Sequence, residues 1–411
     1  MGTELTWDVL MSEKVGYKEI FETLRKEVLD GKYDDTTVLP SEWALARRFG
    51  VCRPTVSRAI LEMVRDGLVV RRQGAPTTLT RFAKNASGAI GVVVQGEWNY
   101  EDLYPSIVRS LSATMERSGW KMVRCGLQPS SGRRRVRAIR EVVERFVDEH
   151  VSGVFLQPIE CMRDSTRFNE EIVARLEDAG IYVTLLDYDI AQLPARSNCD
   201  LVGVDNFAAG YALGRHLRDN GAERVAFSCM PFAAPSVLGR LRGLTAALQD
   251  DGLRWWPGDN TMLCNPESAK DVADFMRSHR PDAIVAYNDK AALALLKTFS
   301  LLGLSVPGDV LLAGFDDIPA ASTSNPPLTT MAQPVDEIAS AAFHTLVSRI
   351  KSPQLPPRKT LLHCRLVPRV STDAVVGVAF GVYSVRNARR GGRNFWYNSL
   401  PTRTTTKTEE Q

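Results

Sequence analysis

Histidine is scarce in this 411-residue chain, which has five, and its seven cysteines (Cys52, Cys125, Cys161, Cys199, Cys229, Cys264 and Cys364) are scattered and odd in number. None forms C-x-x-C, and the histidines do not cluster with them, so neither a disulfide framework nor a zinc site is expected. No run of about 18 apolar residues is present, which excludes a membrane-spanning helix. The opening MGTELTWDVLMSEK lacks a basic start followed by an apolar stretch, so a cytoplasmic protein is expected. No G-x-G-x-x-G follows the first long apolar strand, because Gly88, Gly91 and Gly96 have the wrong spacing. A P-loop is missing too, as are nucleophile–histidine groupings in the expected context. A two-domain α/β enzyme is therefore disfavoured, and no cofactor or metal is expected. The excess of positive charge is small, 51 − 48 = +3, and by itself indicates no partner.

What is present is a chain long enough for two or three domains, with 44% hydrophobic and 24% charged residues, as in ordinary globular proteins. Tyr17, Ile20, Phe21, Leu24 and Val28 recur at helical spacing, and Gly31 is a stop signal. A second helix is predicted from Ser41, as N-cap, to Gly50. A third runs from about Pro54 to Asp66, with Gly67 as its cap. Leu68–Arg72 and Thr77–Thr80 flank the turn Gln73-Gly74-Ala75-Pro76 and read as a hairpin. Charge is segregated in this region. Residues 43–81 hold eight arginines against Glu62 and Asp66, whereas residues 1–42 are rich in acids. A near-neutral total thus conceals a basic face, which duplex DNA requires because phosphate neutralisation supplies most sequence-independent affinity. On the third helix Val56, Ile60, Met63 and Val64 should pack inward. Arg53, Thr55, Ser57 and Arg58 should be presented outward at its N-terminal end, where a recognition helix meets base edges.

Beyond residues 81–88, a small and polar stretch that reads as a linker, the pattern changes. Short apolar runs alternate with helical stretches: Ile90–Val94, Met122–Cys125, Gly153–Leu156, Tyr182–Leu186, Leu201–Val204, Arg224–Ser228, Thr261–Cys264, Ala283–Ala286 and Val310–Ala313. Such alternation predicts parallel sheets covered on both faces, and this many strands suit two α/β lobes. Polar residues follow several of the strands: Gln157, Asp187, Asn288 and Asp316-Asp317, with Arg240 near the start of a predicted helix. The carboxyl ends of parallel strands are where such sheets bind ligands, and amides, carboxylates and an arginine suit a polyhydroxylated one. Taken singly, such a residue is more often a helix cap or turn residue than a ligand contact; it is their convergence that points to a ligand. Residues 373–411 begin with VVGVAFGVY, turn basic and polar, and are expected to be disordered.

The residues LPSEWALARRFGVCRPTVSRAILEMVRDGLVVRRQGAPTTL resemble the winged helix-turn-helix of GntR-type transcription regulators. The shared positions are Leu39, Pro40, Ser41, Glu42, Leu45, Ala46, Gly50, Val51, Arg53, Thr55, Val56, Gly67, Leu68, Gln73 and Gly74. Three positions depart from the pattern: Cys52 replaces a capping serine, and Trp43 and Ser57 stand where many members carry arginine. The resemblance implies DNA contacts from Ser41, Arg53, Thr55, Ser57 and Arg58, and from a wing comprising Arg71, Arg72, Gln73 and Gly74 that reaches the minor groove. The segments VGVDNFAAGYALGRHLRDNGAERVAF and YNDKAALALLKTFSLLGLSVPGDVLLAGFDDIPAASTSNPPLTT, with the later RLVPRVST, resemble the effector domain of LacI/GalR regulators. That resemblance implies two periplasmic-binding-protein-like lobes, three crossovers, a sugar in the cleft and a homodimer. It implies ligand contacts from Gln157, Asp187, Arg240, Asn288 and Asp316, and a bordering loop bearing Trp98, Tyr100 and Tyr104. The combination is similar to arabinose-responsive repressors and points to a pentose or related monosaccharide.

The expected fold is therefore α/β, with an N-terminal winged helix-turn-helix (1–80), a linker (81–88), a two-lobed effector domain (89–372) and a C-terminal extension (373–411). The expected function is that of a ligand-controlled, sequence-specific DNA-binding regulator. The alternative is a ligand sensor whose DNA reader is inert.

Overall fold

The computed structural model describes residues 15–29, 31–33, 36–72, 74–80, 88–94, 102–124, 133–191, 194–253 and 257–373. The expectations for Gln73, Trp98, Tyr100, most of the 81–88 linker and the tail beyond residue 373 lie outside these residues.

Three helices and a hairpin come first: α1 (Tyr17–Leu29), α2 (Glu42–Phe49), α3 (Arg53–Arg65), β1 (Val69–Val70) and β2 (Thr78–Leu79). Ser41 caps α2 by accepting from the Ala44 N–H at 3.2 Å, and Gly50 ends it at φ +63°. Pro54 lies in the first turn of α3, where its missing N–H costs nothing. Cys52 supplies no side-chain cap there; its thiol instead lies 3.1 Å from Thr55 Oγ1. The helix ends with Asp66 as C-cap, and Gly67, at φ +69°, begins the turn one residue later than its expected capping role. Ile20, Leu24, Leu45, Val56, Ile60, Met63 and Leu79 form one core.

Two α/β lobes follow. The first contains β3 (Ala89–Val93), α4 (Leu103–Arg117), β4 (Lys121–Arg124), α5 (Arg133–Asp148), β5 (Gly153–Leu156), α6 (Ser165–Asp178), β6 (Tyr182–Leu186) and β7 (Asp200–Val204). The second contains α7 (Asn206–Asp219), β8 (Val225–Ser228), α8 (Pro235–Asp250), the single turn α9 (Pro257–Asn260), β9 (Thr261–Met262), α10 (Ala269–His279), β10 (Ala283–Ala286), α11 (Asp289–Leu301), β11 (Leu311–Asp316), α12 (Pro319–Thr323) and β12 (Thr329–Ala332). Then α13 (Val335–Lys351) returns to pack on the first lobe, β13 (Lys359–Leu362) joins that lobe's sheet, and β14 (Arg365–Val367) joins the second. The strand orders are β13-β7-β6-β5-β3-β4 and β14-β12-β11-β10-β8-β9. All pairings in these two sheets are parallel except β12 with β14. The chain thus passes between lobes after β7, β12 and β13.

Strands such as Ala89–Val93 and Tyr182–Leu186 are buried throughout, as sheets covered on both faces demand. Apolar clusters line both faces of each sheet. Three strands, β12, β13 and β14, are not among the nine apolar runs, and β9 is two residues shorter than the run that contains it. Among the described residues, no helix is long and apolar enough to cross a membrane.

Candidate functional site

Two groups of polar side chains stand out, one on the reader and one between the lobes. On the reader, Arg53 at the start of α3 is about half exposed, and its Nε donates to Glu42 Oε2 at 2.7 Å. Arg71, just after β1, reaches the same carboxylate, with NH2 at 2.6 Å from Glu42 Oε1 and NH1 donating to Ser57 Oγ at 3.0 Å. Glu42 therefore holds the recognition helix and the wing in one array. Arg58 is exposed and stacks over the Tyr17 ring at 4.0 Å. Thr55 and Ser57 are half-buried on the same end of α3, and Arg72 is exposed. Gly74, at φ +76°, turns the wing with open space around it, so its backbone can approach a groove closely. Ser41 is spent on its cap. Planar guanidinium forks held in place lose less freedom on binding phosphate or guanine than free side chains do.

Behind this face a network braces α2 against α1. Arg48 donates to both carboxylate oxygens of Glu27, one at 2.7 Å, and Tyr33 donates to Glu27 at 2.6 Å. The Arg48 hydrogen bond holds the Glu27 carboxyl down at about 2.

Between the lobes lies a cavity of about 220 Å³. From the first lobe it takes Leu103, Tyr104, Glu160, Cys161 and Asp187. From the second it takes Met230, Ala233, Ser236, Val237, Arg240, Tyr287, Asn288 and Asp316. Asp187 and Asp316 sit at the carboxyl ends of β6 and β11 with φ of +77° and +111°. Such backbone positions are disfavoured by about 1–3 kcal/mol and are held only where the surroundings impose them. Asp187 accepts from Tyr104 Oη at 2.9 Å and, across the cleft, from Ser236 Oγ at 3.0 Å. Asp316 accepts from Gln333 Nε2 at 2.8 Å and lies 3.8 Å from Arg240. Arg240 is buried, donating to Asn206 Oδ1 at 2.8 Å and the Tyr287 carbonyl at 2.6 Å, with its guanidinium over the Phe315 ring at 4.6 Å.

Asn288 caps a helix and also faces the cleft. Its Oδ1 accepts from the Ala291 N–H at 2.9 Å as the cap of α11, while the residue also lines the cavity. Asp317 turns the other way, to Arg369 at 2.6 Å. The β11 turn is fixed by the fully buried Asp289, which accepts from Ile318 N–H at 3.1 Å and Thr330 Oγ1 at 2.7 Å. Burial, reinforced by the Asp316 charge, pushes the Asp289 carboxyl well up. Burial likewise raises Asp316 and Asp187.

Gln157 differs from the expected placement. It is buried, its backbone N–H bonds to the Val93 carbonyl, and among the described residues it is not part of the cavity wall. It lies one residue beyond β5, as Asp187 does beyond β6, but unlike Asp187 it is not on the cavity wall. Glu160, three residues on, lines the cavity instead, and Ser236, Tyr287 and Gln333 also join the site. The one available signal for Glu160 is an acid in a loop at the carboxyl end of a strand.

Both halves of the chain have counterparts among known proteins. Residues 16–79 match the family described as bacterial regulatory proteins, gntR family, and residues 215–372 match a periplasmic binding protein-like domain. The chain is 25% identical over 352 residues to the arabinose metabolism transcriptional repressor of Geobacillus stearothermophilus, covering 82% of this chain and 91% of that one. It is 27% identical over 340 residues to the ribose operon repressor of Escherichia coli K12, covering 80% and 98%. Among solved structures, the transcriptional regulator CelR–cellobiose complex is similar in fold, with a TM-score of 0.60 at 22% identity over 86% of this chain and 98% of that one. The chain thus joins a region that matches the gntR family to one that matches a periplasmic binding protein-like domain, and as a whole it resembles the arabinose repressors.

Proposed function

We propose that this protein is a DNA-binding transcription regulator, a repressor, whose operator affinity is set by a sugar bound between its lobes. The observation that carries the reading is the pairing of two separate arrays in one chain. One is an exposed set of arginines ordered by Glu42; the other is a cleft on which Asp187, Arg240 and Asp316 converge from both lobes. At about 220 Å³ the cavity is smaller than the roughly 300–1,000 Å³ typical for drug-sized ligands, and it suits a single sugar ring. Two copies would read a pseudo-palindromic operator, paired through their effector domains, and the protein would act in the cytoplasm, where the DNA is. A ligand that closes the cleft changes DNA affinity only by its differential affinity for the two lobe arrangements.

Two substitutions test the division of labour. Arg53→Ala is expected to weaken binding to the protein's own upstream DNA about tenfold or more in a gel-shift titration, without changing sugar-induced thermal stabilisation. Asp316→Asn is expected to remove that stabilisation and leave the gel shift intact. If each variant lost both properties, the division would be wrong. Absence of any retention at low salt, where phosphate contacts are strongest, would instead favour a ligand sensor with an inert reader.

A further inference from the structure

Among the described residues the charge of the cleft wall does not balance: three carboxyl groups, Glu160, Asp187 and Asp316, line it with one guanidinium, Arg240. That guanidinium is already engaged by Asn206, the Tyr287 carbonyl and Asp316. Lys290, two residues after Asn288 on α11, is paired with Asp102 at 2.6 Å. Arg135 of α5 acts on Glu160 electrostatically and is outside the wall.

Glu160 is the informative member. Asp187 has Tyr104 and Ser236, and Asp316 has Gln333. Glu160 lines the same cavity, is half-buried, and makes no hydrogen bond among the described residues. A half-buried carboxylate with neither a donor nor a counter-charge in contact among the described residues is open to a cationic partner. A neutral hydroxyl would supply a donor and leave the charge uncompensated. An ammonium group supplies both.

We propose that the effector carries a protonated amine as well as hydroxyl groups, as an amino sugar does, and that Glu160 receives the amine while Asn288, Arg240 and Asp316 take the hydroxyls. The proposal rests on the cleft being the effector site, and it narrows the class of ligand that enters it. In the absence of such a cation, burial and the Asp187 charge push the Glu160 carboxyl up to about 7, the behaviour of an acid awaiting a positive partner.

The test uses the full-length protein and isothermal titration with glucosamine, galactosamine and mannosamine, their neutral parents glucose, galactose and mannose, and N-acetylglucosamine, which keeps the ring and loses the charge. At least one amino sugar is expected to bind tenfold or more tightly than both its neutral parent and its N-acetylated form. Glu160→Gln, which has no hydrogen bond to lose among the described residues and should keep the wild-type melting temperature, is expected to abolish that preference. Neutral sugars that bind as tightly as the amines, or a preference that survives in Glu160→Gln, would overturn the proposal and leave the sugar cleft standing. Failure of every sugar of either kind to bind would overturn both.

Discussion

Single residues here do their work in held pairs, and the clearest case is Glu27. Its carboxylate is clamped by Arg48, Lys32 and Tyr33, and the Arg48 hydrogen bond depresses its titration from 4.5 to about 2. The sign follows directly. A carboxyl lowered on folding adds stability that is fully present above its unfolded value and is lost as pH falls through the folded one. Each tenfold change in proton affinity corresponds to about 1.4 kcal/mol. Arg48 is more than a third exposed, so solvent screening reduces the contribution to roughly 1–2 kcal/mol. Thermal melts of the reader are therefore expected to fall steeply between about pH 5 and pH 2, and Glu27→Gln is expected to lower stability at pH 7 and flatten that fall. An unchanged pH profile in Glu27→Gln would show that the clamp contributes nothing. The same scale explains how far the site is legible in the sequence. Asp187, Asn288 and Asp316 stand out as polar residues immediately after apolar strands, and the cleft contains them. Gln157 obeys the same pattern and is buried behind it, because position along the chain does not fix the direction of a side chain at a strand end. The signals for Glu160 and Gln333 are weaker still, since their roles depend on which loops the two lobes bring face to face.

At the level of elements, legibility follows burial. Strands covered on both faces are written as continuous apolar runs, and these are readable. The edge strands β13 and β14 have exposed and half-buried positions only, while β12 buries threonines, among them Thr329, which is bonded to Arg369 and Ser371. Such short segments carry little periodic signal. Helix–helix contact is invisible for another reason, since it depends on which side chains are absent. Helices α7 and α8 cross so closely that a Cβ at Gly210 would lie 2.0 Å from the Arg240 carbonyl oxygen, and one at Gly243 would lie 2.0 Å from that of Phe207. Both obstacles are backbone, so neither can swing aside. Gly210→Ala and Gly243→Ala should each force the helices apart and cost at least about 1–3 kcal/mol, the usual range for overpacking. Because Arg240 rides on α8, Gly210→Ala is expected to weaken sugar binding as well as lower the melting temperature. A variant with wild-type stability and affinity would mean that the two helices do not cross so tightly.

Across the whole molecule, the question is how an event in the cleft reaches the reader. Among the described residues, α13 with the residues that flank it reaches from the one to the other. Gln333, whose amide donates to Asp316, lies two residues before α13, a rod of 17 residues and so about 25 Å long. The rod lies along α4 and the first sheet. Near its far end Arg349 forms a bidentate pair with the buried Asp200 of β7 and donates to the carbonyls of Pro353, Leu355 and Pro356, fixing the loop that follows. That loop sets the Pro353 ring against Gly67, where a Cβ would come within 2.3 Å, at the entrance to the hairpin that bears Arg71. Closure of the second lobe on a ligand would pull on Gln333, and the anchored rod would convey the shift to Pro353. Coupling of this kind usually amounts to about 5–150-fold in affinity. Pro353→Ala removes the ring and keeps the carbonyl that Arg349 holds. It is expected to preserve both sugar affinity and operator binding measured separately, while the ratio of operator affinities with and without sugar falls towards one. Gln333→Leu should produce the same loss of ratio from the other end of the rod. A wild-type ratio in both variants would mean that the signal travels through another connection between effector domain and reader.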